Sequence, residues 1–349
     1  MLKSTLEGCI TAIITPFRED GGLDVSGLNQ LLEFQLKNGV SGVVVAGTTG
    51  EGPTLEHQEF VRALTMVLDG TSKQALCIAN TGANSTRKAL ETTKEAWELG
   101  AKSALLVDPY YNGPSSLEMR REYYEPIAKE VSEMWLIPYI IPGRTGTQLA
   151  PEDVSILARS YPNFVAVKEA TGSTENAAMI RSLCGASFSI LSGDDERTYG
   201  LMTDPSVKAN GTISVMSNIA PRAVSDMVSA ALRGDVGTAG SLAKALKPLF
   251  ELVTVKTDEQ ALGRSITVKA RNPVPVKAMA ALLGMPAGQC RGPLGKMTKA
   301  GLSKVLTGLK TVWSQNPEIL DPLERAFGVS IADRISSPSS LAGLSYEGY

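Results

Sequence analysis

Lys168 is the residue whose type and position could carry covalent chemistry. It closes the apolar run of "NFVAVKEATG", so a strand there would point its amine into a poorly hydrated interior. Loss of hydration favours the neutral amine and lowers the pKa of a lysine from about 10.4. A neutral amine attacks carbonyl carbons and can form a Schiff base with a keto acid. A lysine that reaches solvent, or that pairs with Glu169 or Asp194, is the structural alternative.

The segment "GTTGEGPTLE", residues 47–56, could hold the carboxylate of such a keto acid. It follows an apolar run and would place the hydroxyls and amides of Thr48 and Thr49 at a helix N-terminus, which favours an anion. Its glycines match neither the dinucleotide G-x-G-x-x-G pattern nor the P-loop pattern. A plain tight turn with a threonine cap is the alternative.

A proton-transfer group is also needed beside the amine, and tyrosine is the best candidate. The chain has a single histidine, His57, which nearly excludes a histidine pair or a histidine-rich metal site. Tyr139 and Tyr111 each adjoin the end of a predicted strand, where a hydroxyl could pass protons. The alternative is a core tyrosine with its hydroxyl at solvent.

Arg144, in "PGRTG", could bind the carboxylate of a second, acidic substrate. A guanidinium offers parallel N–H donors that match the two oxygens of a carboxylate. The alternative is an ion pair with Asp153 or Glu169.

The elements that must position these residues alternate between short β-branched runs and amphipathic stretches. Helical patterns such as 25–38 and 85–99 end at glycines, as helices often do. The alternation favours a (β/α)8 TIM barrel over a doubly wound sheet, and in such barrels the active site lies where the strands end. We expect a distorted seventh helix near Asp204 and Pro205. The eight predicted strands cover residues 9–15, 42–46, 75–80, 103–107, 135–141, 164–168, 189–192 and 211–215.

After residue 217 the sequence predicts helices only. The helical patterns cover residues 221–233, 238–255, 275–283 and 298–314. We therefore expect a barrel carrying the active site over residues 1–220 and a C-terminal helical extension over residues 221–314. Residues 315–349 form an extra, serine-rich tail. The sequence leaves open whether this tail is disordered or packs on a neighbouring subunit.

Composition excludes several classes of protein. The 349 residues are 43% hydrophobic and 20% charged with a net charge of −2, so nucleic-acid binding is not expected. No apolar run approaches the roughly 18 residues that cross a membrane, and the apolar stretch near the N-terminus is too short for a signal peptide. Free thiols in the cytoplasm are the expected state of the cysteines, which lack metal-ligand spacing: Cys9, Cys77, Cys184 and Cys290.

Several motifs together resemble the dihydrodipicolinate synthase family, within the class I aldolase superfamily that includes N-acetylneuraminate lyase. "GTTGEGPTL", "DPYYN", "PGRTG", "VKEATG", "LSGDD" and "GTISV" occur in the family's order and approximate spacing. "NPVPVK", residues 272–277, also resembles that family. The similarity spans about residues 5 to 300.

The resemblance implies roles for the polar residues at the strand ends. Lys168 would form an imine with pyruvate, and Thr48 and Thr49 would bind the pyruvate carboxylate. Tyr139 would transfer protons. Thr48, Tyr139 and Tyr111 would form a hydroxyl relay, with Tyr111 reaching across an interface of a homotetramer built as a dimer of dimers.

The resemblance also implies the second half of the reaction. Arg144 would bind the carboxylate of L-aspartate 4-semialdehyde, and the backbone carbonyls around Gly193 and Ile213 would lie close to the keto acid. Neither a cofactor nor a catalytic metal would be needed. The product would serve lysine and diaminopimelate biosynthesis in the cytoplasm.

The chain departs from the family pattern at four places. Ile140 replaces an asparagine, and we expect it to point away from Tyr139 and alter packing only. Asp108 replaces a threonine just outside the relay. An insertion near residues 256–267 and the tail beyond about residue 315 are extra.

Two rival functions remain open at this point. A sugar-acid lyase of the N-acetylneuraminate or 2-keto-3-deoxygluconate type would keep the same lysine and tyrosine, although Arg144 favours an acidic aldehyde. A non-catalytic barrel that binds a keto acid is the rival from another class, and the presence of Lys168, Tyr139 and both threonines argues against it.

Feedback inhibition by lysine is predicted to be weak or absent. His57, Asn84 and Tyr110 match residues of the family's allosteric pocket, but Lys88 stands where lysine-sensitive members often carry an acid. A cation there would repel the ammonium group of lysine. Half-inhibition by sub-millimolar lysine in a steady-state assay would contradict this prediction.

Overall fold

The computed structural model describes residues 6–71 and 74–348, and its centre is a closed barrel of eight parallel strands. Each strand pairs with the next, and the eighth pairs with the first. The fold is therefore the predicted TIM barrel. Both ends of every strand except the first lie within two residues of the predicted bounds. The first strand ends at Ala12, three residues before its predicted end. The strands are β1 (Gly8–Ala12), β2 (Gly42–Val45), β3 (Leu76–Asn80), β4 (Ser103–Val107), β5 (Trp135–Ile140), β6 (Ala166–Glu169), β7 (Ser189–Ser192) and β8 (Gly211–Ser214).

Helices connect the strands and cover the outside of the barrel. The segment between β4 and β5 is one nearly continuous helix in which a π-helical turn, Met119–Tyr124, joins two α-helical pieces. The α-helices up to β8 are α1 (Val25–Lys37), α2 (His57–Thr71), α3 (Thr86–Glu98), α4 (Ser116–Glu118), α5 (Glu125–Glu130), α6 (Pro142–Thr145), α7 (Pro151–Ser160), α8 (Thr174–Cys184) and α9 (Asp195–Thr203).

The predicted distortion before β8 lies in the connection rather than in the helix. The α9 helix spans nine residues, is capped by Asp194 and ends at Thr203. A turn from Asp204 follows, in which Lys208 has a positive φ of 47°.

Alternation along the strands decides which side chains face the barrel interior. One buried apolar cluster is formed by inward-facing residues, among them Ile137 and Tyr139 of β5 and Ala166 of β6. Side chains two apart on a strand share a face, so Lys168 points inward like Ala166. Tyr139 is the register partner of Lys168. The lysine therefore stands directly above the apolar filling of the barrel.

The extension after β8 contains a β-hairpin, and the prediction of helices alone was wrong there. Strands β9 (Thr254–Ala261) and β10 (Arg264–Arg271) pair antiparallel around a turn in which Leu262 and Gly263 have φ of 52° and 69°. The predicted helix over 238–255 ends at Phe250. The helices are α10 (Pro221–Leu232), α11 (Val236–Phe250), α12 (Val274–Leu282), α13 (Lys299–Gln315), α14 (Asp321–Phe327) and α15 (Ile331–Ser336).

The serine-rich tail folds back on its own chain up to residue 348. After α15 a short 3-10 helix, Pro338–Leu341, leads to a bridge between Met297 and Ser345. The Met297 amide donates to the carbonyl of Leu344 at 3.2 Å. In the described part of the chain, no helix is long and apolar enough to cross a bilayer.

A buried ion pair ties the extension to the loop after β2. The Lys277 Nζ of α12 lies 2.6 Å from Glu51 Oε1, with side-chain exposures of 2% and 0%. Lys277 also donates to the carbonyls of Thr15 and Gln289. Since a buried charge without its partner is strongly destabilising, this pair holds the loop against the extension.

Candidate active site

A cavity of about 320 Å³ lies at the C-terminal ends of the strands, where TIM barrels carry their active sites. Walls come from the barrel loops on one side and from the extension on the other. The cavity brings together most of the residues that the sequence singled out, namely Thr48, Thr49, Tyr139, Arg144, Lys168 and Gly193.

Lys168 lines this cavity and is only 5% exposed. Its Nζ is 4.0 Å from the centroid of the Tyr139 ring. Among the ion pairs of the described residues, none joins Lys168 to Glu169 or Asp194. Glu169 instead accepts a hydrogen bond from the Thr171 amide at 2.9 Å. The structural alternative of a paired or solvent-exposed lysine does not describe this residue.

Burial makes the amine of Lys168 unusually acidic. Desolvation, with a smaller effect from the positive charge of Arg144, lowers the pKa of Lys168 from 10.5 to about 7, although the nearby Asp195 opposes the shift. About half of the amine is then neutral at pH 7, so a nucleophile is available without a separate base.

Two hydroxyl-bearing residues, Tyr139 and Thr48, line the same cavity as the amine. Burial raises the pKa of Tyr139 above its ordinary value of 10, while the charge of Arg144 and the nearby Thr48 side chain oppose the shift. The phenol is therefore protonated at neutral pH and can both donate and accept a proton.

The loop after β2 is a series of tight turns rather than the expected helix N-terminus. A 3-10 helix, Gly52–Thr54, follows it, and α2 begins only at His57. A Cβ on Gly52 would lie 2.0 Å from the carbonyl oxygen of Ala46, so the turn requires glycine there. Neither of the amides of Thr48 and Thr49 donates to another described residue.

The extension contributes Asn272, a residue for which the sequence analysis predicted no role. Its Nδ2 donates to the Thr49 hydroxyl at 2.9 Å, and the contact is buried. The motif "NPVPVK" pointed to this segment, but only the fold brings it across the cavity to Thr49.

Arg144 lies on the short helix α6 and is held by the backbone of the extension. Its Nη2 donates to the carbonyl of Asn272 at 2.9 Å, while Arg271 Nη1 donates to the carbonyl of Gly143 at 3.1 Å. Asp153, proposed as an alternative partner, pairs with Arg120 at 2.6 Å instead. The guanidinium of Arg144 thus keeps donors for a ligand.

Gly193 lies close to the lysine, whereas Ile213 belongs to the apolar filling of the barrel. A Cβ on Gly193 would lie 3.0 Å from Lys168 Cε, so the backbone there approaches the lysine closely. Ile213 is fully buried in the apolar filling of the barrel, in the same cluster as Tyr139.

Tyr111 is the predicted site residue that this chain does not bring to its own cavity. Its side chain is 89% exposed, and its backbone has a φ of 81°, which is uncommon outside glycine. The conformation holds a large apolar ring out in solvent. No contact among the described residues explains that placement.

Three of the four predicted allosteric residues line a second cavity of about 850 Å³. His57, Lys88 and Tyr110 line it, whereas Asn84 does not. His57 also lies 3.1 Å from Glu95. The two cavities share Thr48 and other wall residues, so a ligand in the second would lie beside the first.

The two departures near the relay are both buried. Ile140 packs with the outer apolar cluster while Tyr139 belongs to the inner one, as expected for neighbours on a strand. Asp108 accepts from the Tyr124 hydroxyl at 2.6 Å and from the Leu149 amide at 3.1 Å. Burial raises the pKa of Asp108 to about 7.

Asp195 is a further buried acid near the lysine that the sequence did not assign. It accepts hydrogen bonds from the amides of Val215 and Met216 and from the Ser214 hydroxyl. Burial raises the pKa of Asp195 to about 6. No group of three or more potential ligand side chains in residues 6–71 and 74–348 could hold a metal ion.

Comparison with known proteins identifies the family. The model of the dihydrodipicolinate synthetase family matches residues 5–312. The chain belongs to the dihydrodipicolinate synthetase family. The resemblance seen in the motifs is therefore confirmed.

Relatives and solved structures of this family match along most of the chain. A 4-hydroxy-tetrahydrodipicolinate synthase of Geobacter sp. (strain M21) is 40% identical over 304 residues, which are 87% of this chain and 98% of the relative. The synthase structure from Methylacidiphilum fumariolicum SolV is 36% identical with a TM-score of 0.81 and covers 93% of this chain and 100% of that one. A chloride-inhibited synthase from Acinetobacter baumannii, in complex with pyruvate, is 35% identical with a TM-score of 0.79, covering 88% and 99%.

The pKa of Lys168 predicts how carbonyl addition depends on pH. The neutral fraction of an amine with a pKa of about 7 rises about tenfold between pH 6 and pH 8 and then levels off. Exchange of the methyl protons of pyruvate with deuterated solvent, followed by NMR without a second substrate, should follow this curve.

Lys168→Arg is the control for that experiment, because a guanidinium does not deprotonate in proteins, and it should abolish exchange above the rate of pyruvate alone. An exchange rate that keeps rising steeply beyond pH 9 would show that the lysine has an ordinary pKa.

Proposed function

We propose that this chain is a 4-hydroxy-tetrahydrodipicolinate synthase, which condenses pyruvate with L-aspartate 4-semialdehyde. The observation that carries the proposal is the Lys168 amine, buried, unpaired in the described chain and with a pKa near 7. It shares one cavity with Arg144, a cation suited to an acidic acceptor. The relatives named for this activity support the same substrates.

The first half of the reaction would occur on Lys168. Its neutral amine adds to the keto carbon of pyruvate, and loss of water gives a protonated imine. Removal of a proton from the methyl carbon then gives an enamine, whose carbon is the nucleophile towards the second substrate. Tyr139 would move these protons, and the contact of its ring with the amine supports this role.

The pyruvate carboxylate would sit on the loop after β2. The amides of Thr48 and Thr49 are free of other described acceptors, and the Thr49 hydroxyl is held by Asn272. Pre-positioned donors bind an anion without reorganisation during the reaction. The backbone around Gly193 would pass close to the same intermediate.

The acceptor aldehyde would bind under Arg144. Attack by the enamine joins the two substrates, and the amino group of the acceptor can then displace Lys168, which closes the ring and frees the lysine. A sugar acid has no such amino group and needs polar partners for a polyol. We therefore favour the aspartate semialdehyde reaction over the sugar-acid lyase.

A homotetramer in the cytoplasm completes this proposal. Tyr111 is exposed and held in a left-handed backbone conformation, as suits a side chain that enters a partner's site. There it would join Thr48 and Tyr139 in a relay that carries protons to solvent.

Turnover with alternative aldehydes tests the function directly. With pyruvate present, aspartate semialdehyde should be consumed at least a hundredfold faster than N-acetylmannosamine or glyceraldehyde, because only the former offers Arg144 a carboxylate. A coupled assay for the cyclic product measures this.

Lys168→Arg should lose the activity and serves as the control for trace contaminants. Faster use of either sugar aldehyde would favour the rival lyase, and no turnover with any aldehyde by the folded protein would favour a binding barrel.

Tyr111→Phe should lower kcat by about ten- to a hundredfold and leave the melting temperature unchanged, because it removes one hydroxyl from a proton relay but no buried contact. Tyr346→Phe, at another exposed tyrosine, is the matched control and should keep full activity. Equal activity of the two variants would contradict a shared site.

A further inference from the structure

The β9–β10 hairpin carries a cluster of cations on one face. Lys269 and Arg271 lie two residues apart on β10, and Lys256 lies directly opposite Lys269 on β9. All three side chains are exposed. The opposite face packs on α13 through buried Val255 and Thr257, so the cationic face cannot turn inward.

The cations of this face have no ion-pair partner among the described residues. Asp258, the acid further out on the same face, accepts from the Thr267 hydroxyl at 2.7 Å. Like charges directly opposite on a sheet destabilise it. The charge of Arg271, followed by those of Lys256 and Arg144, lowers the pKa of Lys269. The hairpin thus maintains an unfavourable concentration of positive charge.

This charge lies at the mouth of the catalytic cavity. Lys269 and Arg271 line the same cavity as Arg144 and Lys168. Reciprocal hydrogen bonds between Arg271 and Gly143 and between Arg144 and Asn272 fix the end of the hairpin beside Arg144. A ligand bound by Arg144 is therefore within the field of the hairpin's cations.

Acidic residues also line the cavity, on other elements. Asp194 and Glu196 come from the start of α9, and Glu251 follows α11. Glu251 lies 3.7 Å from Lys247 on the exposed surface. The mouth thus carries positive charge from the hairpin and α6, and negative charge from α9 and the end of α11.

We infer that the hairpin gives the site a specificity device for its second substrate: Lys269 and Arg271 extend the Arg144 anion subsite, while the acids of α9 take the ammonium group of the acceptor. The mouth would then select α-amino-acid aldehydes, which carry both charges. This inference rests on the proposed function and adds the residues that discriminate between acceptors.

Lys269→Gln tests the cationic side of the mouth. It should raise KM for aspartate semialdehyde about three- to tenfold, leave KM for pyruvate unchanged and weaken the salt dependence of kcat/KM. Arg264→Gln is the matched control, because it removes one cation from the exposed tip of the same strand. It should change neither constant.

Glu196→Gln tests the acidic side. Succinic semialdehyde, which lacks the amino group, is the probe and is measured as a competitive inhibitor against aspartate semialdehyde. Glu196→Gln should raise KM for the amino-bearing substrate and leave the inhibition constant of the probe unchanged, whereas Lys269→Gln should weaken both.

The outcomes separate this inference from the proposed function. No condensation by the unaltered protein would overturn the function itself. Condensation with equal acceptor constants in Lys269→Gln, Arg264→Gln and the unaltered protein would overturn the cationic subsite alone. Equal effects of Glu196→Gln on substrate and probe would overturn the ammonium assignment.

Discussion

Desolvation of one amine is the constraint around which the site is built. Lowering the pKa of Lys168 from 10.5 to about 7 corresponds to roughly 5 kcal/mol of unfavourable interaction with the protonated form, at about 1.4 kcal/mol per pKa unit. The barrel keeps the pKa of Lys168 low because it places the lysine above its apolar filling, and because the nearby acids form hydrogen bonds with other groups. Asp195 is held by two amides and a hydroxyl, and Glu169 by Thr171.

The extension matters because it completes the site as well as covering the barrel. Lys277 neutralises Glu51, a buried residue whose φ of 55° shapes the loop that carries Thr48 and Thr49. Asn272 holds the Thr49 hydroxyl and accepts from Arg144. In the proposed reaction, binding of the keto acid and of the acceptor would thus both depend on residues that follow the eighth strand.

The barrel and the position of Lys168 were predictable from the sequence because parallel strands that are buried on both faces have short apolar sequences. Lys168 stands out as a charge at the end of such a run. The hairpin was not predictable in the same way. The strand sequences "TVKTDEQA" and "RSITVKAR" are mostly polar, and the Leu262–Gly263 turn lacks the usual Asn-Gly signal.

Contacts between segments that lie far apart in the chain could not be predicted from the sequence either. Nothing in "NPVPVK" indicates that Asn272 reaches Thr49, more than 200 residues earlier. The prediction of a helix N-terminus at "GTTG" was wrong because Gly52 permits a tighter turn, in which its backbone packs against the carbonyl of Ala46. Tyr111 was identified from the motif it belongs to, and its exposed, left-handed conformation agrees with a side chain whose partners lie outside the chain.

Lys168 is proposed to be a nucleophile towards pyruvate. Borohydride reduction in the presence of pyruvate, followed by mass mapping of peptides, would trap the imine that this role requires. A reduced pyruvate adduct on the peptide carrying Lys168, and on no other lysine peptide, is the predicted result. A folded protein that gives no adduct, or that is modified at another lysine, would contradict the account.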